Sequence, residues 1–254
     1  MNNKQMNIKM IVTDLDGTFF RNDKTVSDYT IGIFKKCRAN CIKLALATAR
    51  SGNAQIPIEL FDGFIKSNGA VVFAGGEIIY HRPMPIQQAR QLLTAADKAG
   101  ISIVAQSSEK HCANFNLKEV TGYLTGEIID FSTLDFEPLK IYAVIKTEKD
   151  AEILKCNLPD SLYMTFSRDG VAFIMHKEAA KANAAAALSA HWEINQSEIV
   201  AFGDDLNDID LMKYCGNSVA MGNAVDEVKA IADYICDTND NDGVAKWLEE
   251  YLWH

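Results

Sequence analysis

The chain is short of several features that would mark it as secreted, metal-stapled or membrane-bound. Its six cysteines, Cys37, Cys41, Cys112, Cys156, Cys215 and Cys236, include no C-x-x-C pair. That argues against a disulfide or zinc framework and predicts reduced, mostly buried thiols. The five histidines show no H-x-H or H-x-x-x-H spacing, so no histidine metal site is expected. Apolar runs are strand-length and interrupted by charge, too short to span a membrane. The first seven residues are polar and lack the apolar stretch of a signal peptide, so a cytoplasmic location is expected. Positive charge is also scarce: 25 Lys and Arg against 34 Asp and Glu leave a net charge of −9. Such a balance excludes a general binder of nucleic acid or anionic membranes. There is no internal repeat and no low-complexity tract, the alanine cluster at 184–187 being simply a good helix former.

What remains is an ordinary globular composition, 48% hydrophobic and 23% charged over 254 residues. That length suits one large domain, or a core carrying an inserted module. In the first third, buried apolar runs at 8–12 and 42–47 flank a helical segment at 28–40, with Ser27 as its N-cap. A short strand at 64–66 and a hairpin turning at Gly75-Gly76 follow. Alternating strands and helices imply parallel pairing with right-handed crossovers. The texture changes at His81-Arg82-Pro83-Met84-Pro85, which reads as a hinge. Helices at 86–99 and 148–156, strands at 101–105 and 140–145, and a hairpin over 162–166 and 171–175 then form an α+β module. The core texture resumes near Lys177 with an Ala-rich helix at 179–190, a strand at 199–202, and further short strands and helices to the end. The reading is therefore α/β. A doubly wound, mostly parallel Rossmann-like sheet is expected over residues 1–81 and 178–254, with an inserted α+β module over 82–177.

The most informative stretch is Asp14-Leu15-Asp16-Gly17-Thr18, two carboxylates spaced i, i+2 at the end of an apolar run. If the strand ran through them, both would point to one face, at the edge where open α/β sheets hold ligands. Paired carboxylates there suit a hard divalent cation and a division of nucleophile and acid/base roles. Two further strand ends carry polar groups: Thr48 after the second strand, and Asp204, Asn207 and Asp208 in Gly203-Asp204-Asp205-Leu206-Asn207-Asp208. Lys181, at the start of the Ala-rich helix, can reach the same edge. Taken singly, Thr48 and the 204–208 acids also read as helix caps, and Lys181 as a solvated lysine. An acidic chain that handles phosphate must neutralise charge locally, and a bound cation with one or two lysines would do so.

In this order the motifs resemble those of the haloacid dehalogenase-like phosphohydrolases, most closely the Cof-type members with a type IIB cap between the second and third motifs. D-L-D-G-T, the Asn68-Gly69-Ala70 turn, G-D-x-x-N-D and Met221-Gly222-Asn223-Ala224 carry the resemblance. Two departures stand out. Thr48-Ala49-Arg50 replaces the family's Thr-Gly-Arg, and Lys181 precedes Ala182 where the family has Lys-Gly, with Lys177 four residues earlier. The resemblance implies Asp14 as nucleophile and Asp16 as acid and then base. It implies a magnesium ion held by Asp14, the Asp16 main-chain carbonyl and Asp204, with Asp208 acting indirectly. Thr48, Lys181 and Asn207 would hold phosphoryl oxygens. The cap, hinged near Arg82 and Lys177, would close over the phosphate and select the leaving group; Gln106 to His111 and the turn at 167–170 read foremost as plain exposed loops, with facing that cleft as the alternative. Phe19-Phe20-Arg21 would form a flap, and Arg50 either contacts the leaving group or makes a structural salt bridge. The implied activity is magnesium-dependent hydrolysis of a small phosphorylated metabolite, most plausibly a sugar phosphate, by a monomer or weak homo-oligomer. A phosphomutase and, in another class, a non-enzymatic phospho-receiver are the alternatives.

Overall fold

The structure, a computed structural model, describes residues 6–51, 56–122, 124–166 and 170–253. The first five residues and three residues of the 167–170 turn singled out above lie outside the described residues. The chain divides into two compact units, Met1–His81 with Ala180–His254, and Arg82–Ala179.

The first unit opens with β1 (Met10–Asp14), α1 (Asp28–Ala39), β2 (Lys43–Ala47), β3 (Gly63–Lys66), β4 (Val71–Ala74) and β5 (Glu77–His81). The second unit contains α2 (Ile86–Lys98), β6 (Ile103–Gln106), β7 (His111–Ala113), α3 (Leu117–Thr121), β8 (Glu127–Ile128), β9 (Lys140–Val144), α4 (Glu148–Cys156), β10 (Leu162–Phe166) and β11 (Val171–His176). The chain returns to the first unit with α5 (Lys181–His191), β12 (Ile199–Gly203), α6 (Ile209–Tyr214), β13 (Asn217–Ala220), α7 (Asp226–Lys229), β14 (Tyr234–Ile235) and α8 (Gly243–Trp253).

Among the described residues the first unit is built on one sheet, ordered β14-β13-β12-β1-β2-β3-β4-β5. The pairings from β14 to β3 are parallel, and β4 and β5 add the antiparallel hairpin expected around Gly75-Gly76. Every residue of β1 and β12 is buried, as a strand covered on both faces requires. Successive strands leave β1 in opposite directions, to β2 on one side and β12 on the other. The carboxyl ends of β1 and β12 are therefore the switch point, where doubly wound sheets open a crevice.

α1 follows its sequence signals. Ser27 caps it by accepting from the Thr30 amide at 3.0 Å, and Thr30, Ile33, Phe34 and Cys37 form the buried i, i+3, i+4, i+7 stripe. Two elements differ from the sequence reading. β1 starts at Met10 and ends on Asp14, so Asp16 lies past the strand and the alternation that would align it with Asp14 has stopped. The Ala-rich helix begins at Lys181, two residues later than its composition suggests, because the Ala180 backbone is still extended.

The second unit is a six-stranded sheet, ordered β10-β11-β9-β6-β7-β8. Pairing among β10, β11, β9, β6 and β7 is antiparallel, and β9 alternates between half-buried and buried residues. One face, with Ile103, Ile141, Ala143 and Ile174, packs on Leu92, Leu93 and Leu154 of α2 and α4. Among the described residues, no helix is long and apolar enough to cross a membrane.

Candidate active site

Parallel register brings the polar strand ends of the first unit level with one another. Asp14 pairs with Ala47, the residue before Thr48, and Thr13 pairs with Phe202 two residues before Asp204. Asp14, Asp204 and Asp208 each place a carboxylate oxygen within 4.8 Å of the others. Lys181 completes the cluster: its Nζ donates to Asp14 Oδ1 at 2.5 Å and to Asp208 Oδ1 at 2.6 Å. The lysine side chain is 1% exposed. A lysine at the first position of a helix opposes the helix dipole, so local preference does not explain it; the two carboxylates do. Lys177, the other lysine near the third motif, lies exposed in the second unit.

Two glycines make this geometry possible. At Gly17 (φ +86°) a Cβ would sit 2.3 Å from Asp204 Oδ2, so only glycine lets that carboxylate close on the first loop. Thr18 Oγ1 donates to Asp204 Oδ1 at 2.7 Å and fixes its orientation. At Gly69 (φ +95°) a Cβ would meet the Ala180 carbonyl at 2.3 Å, so the Asn68-Gly69 turn packs directly on the start of α5 and sets where Lys181 begins.

Asp208 serves the loop as much as the cluster. Its Oδ2 accepts from the Asp204 and Asp205 amides at 3.1 and 3.2 Å, while Oδ1 faces Lys181. With both oxygens engaged, it shapes the 204–208 turn and anchors the lysine. Asn207 is exposed and donates to Asn68 Oδ1 at 3.2 Å. Thr48 is buried; its Oγ1 accepts from the Arg50 amide at 3.1 Å, which leaves its own proton for another acceptor. The helix-cap reading of Thr48 does not apply, since no helix starts there.

Asp16 has separate partners. Arg50 donates to both of its oxygens, Nε to Oδ2 at 2.7 Å and Nη2 to Oδ1 at 2.6 Å, and Lys24 Nζ reaches Oδ1 at 2.9 Å. Partial burial pushes the Asp16 carboxyl up, but these cations outweigh it and hold it below the ordinary aspartate value. In the cluster the balance runs the other way. Burial raises Asp14 against the pull of Lys181, with Asp208 and Asp204 adding to the rise. Burial likewise pushes Asp204 up to about 6, although the Thr18 hydrogen bond opposes it. Three carboxylates with one lysine carry more negative charge than the site compensates, and an all-oxygen donor set of this kind fits a hard divalent cation.

Sequence reasoning passed over Thr18, whose place inside D-L-D-G-T was the available signal, and Lys24, for which the sequence holds none. Asn223 Nδ2 also donates to the Gly17 carbonyl at 2.8 Å, tying the loop after β13 to the first motif. A separate cavity of about 480 Å³ in the same unit touches Thr48 and Arg50, but its walls are largely apolar, with Leu15, Leu46, Phe61 and Phe64, and exclude Asp14.

A doubly wound sheet whose loops after β1 and β12 bring carboxylates onto a buried lysine at its switch point marks a class of α/β hydrolases. The chain belongs to the haloacid dehalogenase-like hydrolases, whose family pattern it matches over residues 11–248. Within that family it is similar to named phosphatases and is itself a phosphatase of the Cof type. It is 26% identical to the 5-amino-6-(5-phospho-D-ribitylamino)uracil phosphatase YitU of Bacillus subtilis, over 96% of this chain and 97% of that protein. It is 28% identical to a second such phosphatase of the same organism, YcsE, over 98% of both. Among solved structures, the phosphatase BT1666 of Bacteroides thetaiotaomicron superposes with a TM-score of 0.84 at 25% identity, covering 99% of this chain and 97% of that one.

Proposed function

We propose that the protein hydrolyses phosphate monoesters of small metabolites, sugar phosphates foremost, through a phosphoaspartate on Asp14 and with magnesium. The observation that carries this reading is the Lys181 ammonium seated between Asp14 and Asp208 beside Asp204. It holds a nucleophilic carboxylate next to positive charge, which a phosphate dianion needs in order to approach an anion. One Asp14 oxygen is occupied by Lys181, and the other is left for attack on phosphorus. In the first half-reaction the Asp14–phosphorus bond forms as the ester bond breaks, and Asp16 gives its proton to the departing alkoxide. In the second, Asp16 takes a proton from water, whose oxygen displaces Asp14 and releases inorganic phosphate. Thr48 Oγ1 and Asn207 Nδ2 are the donors assigned to the phosphoryl oxygens.

Asp14, Asp204 and the Asp16 carbonyl would hold the magnesium ion, with Asp208 acting indirectly. When bound, the ion would neutralise charge on the transferring phosphoryl group. The insertion between the second and third motifs is assigned the choice of leaving group. Similarity to phosphatases of a phosphorylated ribityl compound agrees with a polyhydroxylated leaving group.

The test compares wild type with Asp14→Asn on p-nitrophenyl phosphate and a phosphometabolite panel, with magnesium and with chelator. Turnover should fall by about three orders of magnitude or more in the variant, with an unchanged circular dichroism spectrum. Magnesium should also raise the melting midpoint of wild type, by up to about 2.7 kcal/mol of stabilisation at a hundredfold excess over Kd, and should raise that of Asp204→Asn less. Full activity in Asp14→Asn would remove the nucleophile assignment. A requirement for a bisphosphate activator would move the protein to the mutases.

A further inference from the structure

The carboxylate assigned to acid/base work is fully engaged. Arg50 grips both Asp16 oxygens in a bidentate pair, and Lys24 adds a third contact on Oδ1. To protonate a leaving group, one of these oxygens must carry a proton and reach the ester oxygen, which the bidentate pair opposes. Two cations on one carboxylate also leave an excess positive charge next to the first motif.

Both cations are mounted on the frame of the site. The Arg50 amide donates to Thr48 Oγ1 at 3.1 Å, and its carbonyl accepts from the Ser67 amide at 3.0 Å. Lys24 sits in a closed turn, with its amide on the Arg21 carbonyl at 2.9 Å and the Arg21 amide on the Thr25 carbonyl at 3.0 Å. Its φ of +66° is a left-handed conformation that disfavours a lysine, yet it brings Nζ back over Asp16. The three side chains are 35% (Asp16), 42% (Arg50) and 56% (Lys24) exposed. Water screens such a pair, so exchanging one oxyanion for another in it is energetically easy. A guanidinium accepts a carboxylate or a phosphate in the same forked geometry.

We propose that Arg50 and Lys24 form an anion subsite for the leaving group, at which a second phosphate or a carboxylate on the substrate displaces Asp16 and frees it to act. This rests on the acid/base role assigned to Asp16 above. It names the substrate class more narrowly, as phosphate monoesters whose leaving group carries a second anion. Such a substrate replaces the ion pair that it breaks, whereas a neutral leaving group must break it without replacement.

The experiment measures kcat/KM for matched esters, 3-phosphoglycerate against glycerol 3-phosphate and a hexose bisphosphate against the hexose monophosphate. Wild type, Arg50→Gln and Lys24→Gln are compared. Wild type should prefer the anionic member of each pair by about tenfold or more. Arg50→Gln should lower turnover of the anionic esters and raise that of the neutral ones, so the preference collapses from both sides. Lys24→Gln should shift the ratio in the same direction by less, and it serves as the independent variant if Arg50→Gln folds poorly. Preference for only one of the two anions identifies which chemistry the subsite takes. A parallel loss on both members of each pair, or an unchanged ratio, overturns the proposal. Asp14→Asn, run alongside, keeps the outcomes separate: residual turnover there counts against the phosphoaspartate reading and says nothing of the subsite.

Discussion

Each unit of this chain carries a burial-shifted lysine, and the two are handled in opposite ways. In the first unit Lys181 lies at the mouth of a sheet covered on both faces. Burial alone would push it down, but Asp14 and Asp208 outweigh that and raise it above the ordinary lysine value. In the second unit Lys140 stands on the face of the sheet opposite α2 and α4, with Nζ 5.3 Å from the centre of the Phe173 ring. Burial pushes it down to about 8. A parallel sheet buried on both sides has nowhere to keep a charged group except at its strand ends, so its chemistry gathers there and the partners are built in. The antiparallel sheet of the second unit carries its lysine on a face shared with Val104, Tyr142 and Phe173, where burial sets the direction of the shift.

Removing the first lysine should break the comparison most severely. Lys181→Met leaves Asp14 and Asp208 as a buried pair of like charges. Turnover should fall by about two to three orders of magnitude and stability by about 3–5 kcal/mol. Steady-state kinetics and urea unfolding read the two effects; a variant that keeps both turnover and stability would show that the lysine is not the compensating charge. A smaller effect is expected when Lys181 is kept but its mounting is moved. Gly69→Ala places a methyl against the Ala180 carbonyl and strains a left-handed turn, for roughly 1–3 kcal/mol, and should lower kcat by displacing the start of α5. Loss of stability with unchanged kcat would separate the turn from the site.

The smallest effect sharpens the second half of the comparison. Lys140 has a folded pKa of about 8 against an ordinary 10.5, so the folded state gives up its proton first. Between these values the unfolded chain binds more protons, and stability should rise with pH; below about 8 the full penalty of the buried charge applies. Lys140→Met should therefore stabilise the protein at neutral pH, and the gain should shrink by about pH 10. Denaturation midpoints at the two pH values check the sign. A gain that grows with pH would reverse it.

Much of this was legible in the chain. Hydrophobic runs with carboxylates or threonine at their ends located β1, β2 and β12, because buried parallel strands read as continuous apolar segments. Helix α1 was readable from its Ser27 cap and its periodicity, and Pro83 and Pro85 mark the chain where the second unit begins. The relation between Asp14 and Asp16 was not legible. Spacing by two promises a shared face only while the strand lasts, and β1 ends on Asp14.

The amino-acid sequence by itself determined the fold class, the order of the polar loops and the family, since local pattern and motif spacing are properties of contiguous residues. Tertiary structure alone decided the partners. Lys181 rather than Lys177 reaches Asp14 across 167 residues, Thr18 orients Asp204 across 186, and Arg50 with Lys24 holds Asp16. The reason is physical: a charge inside or at the edge of a protein is defined by what desolvates it and what opposes it, and those groups come from distant strands that meet only when the sheet closes its register.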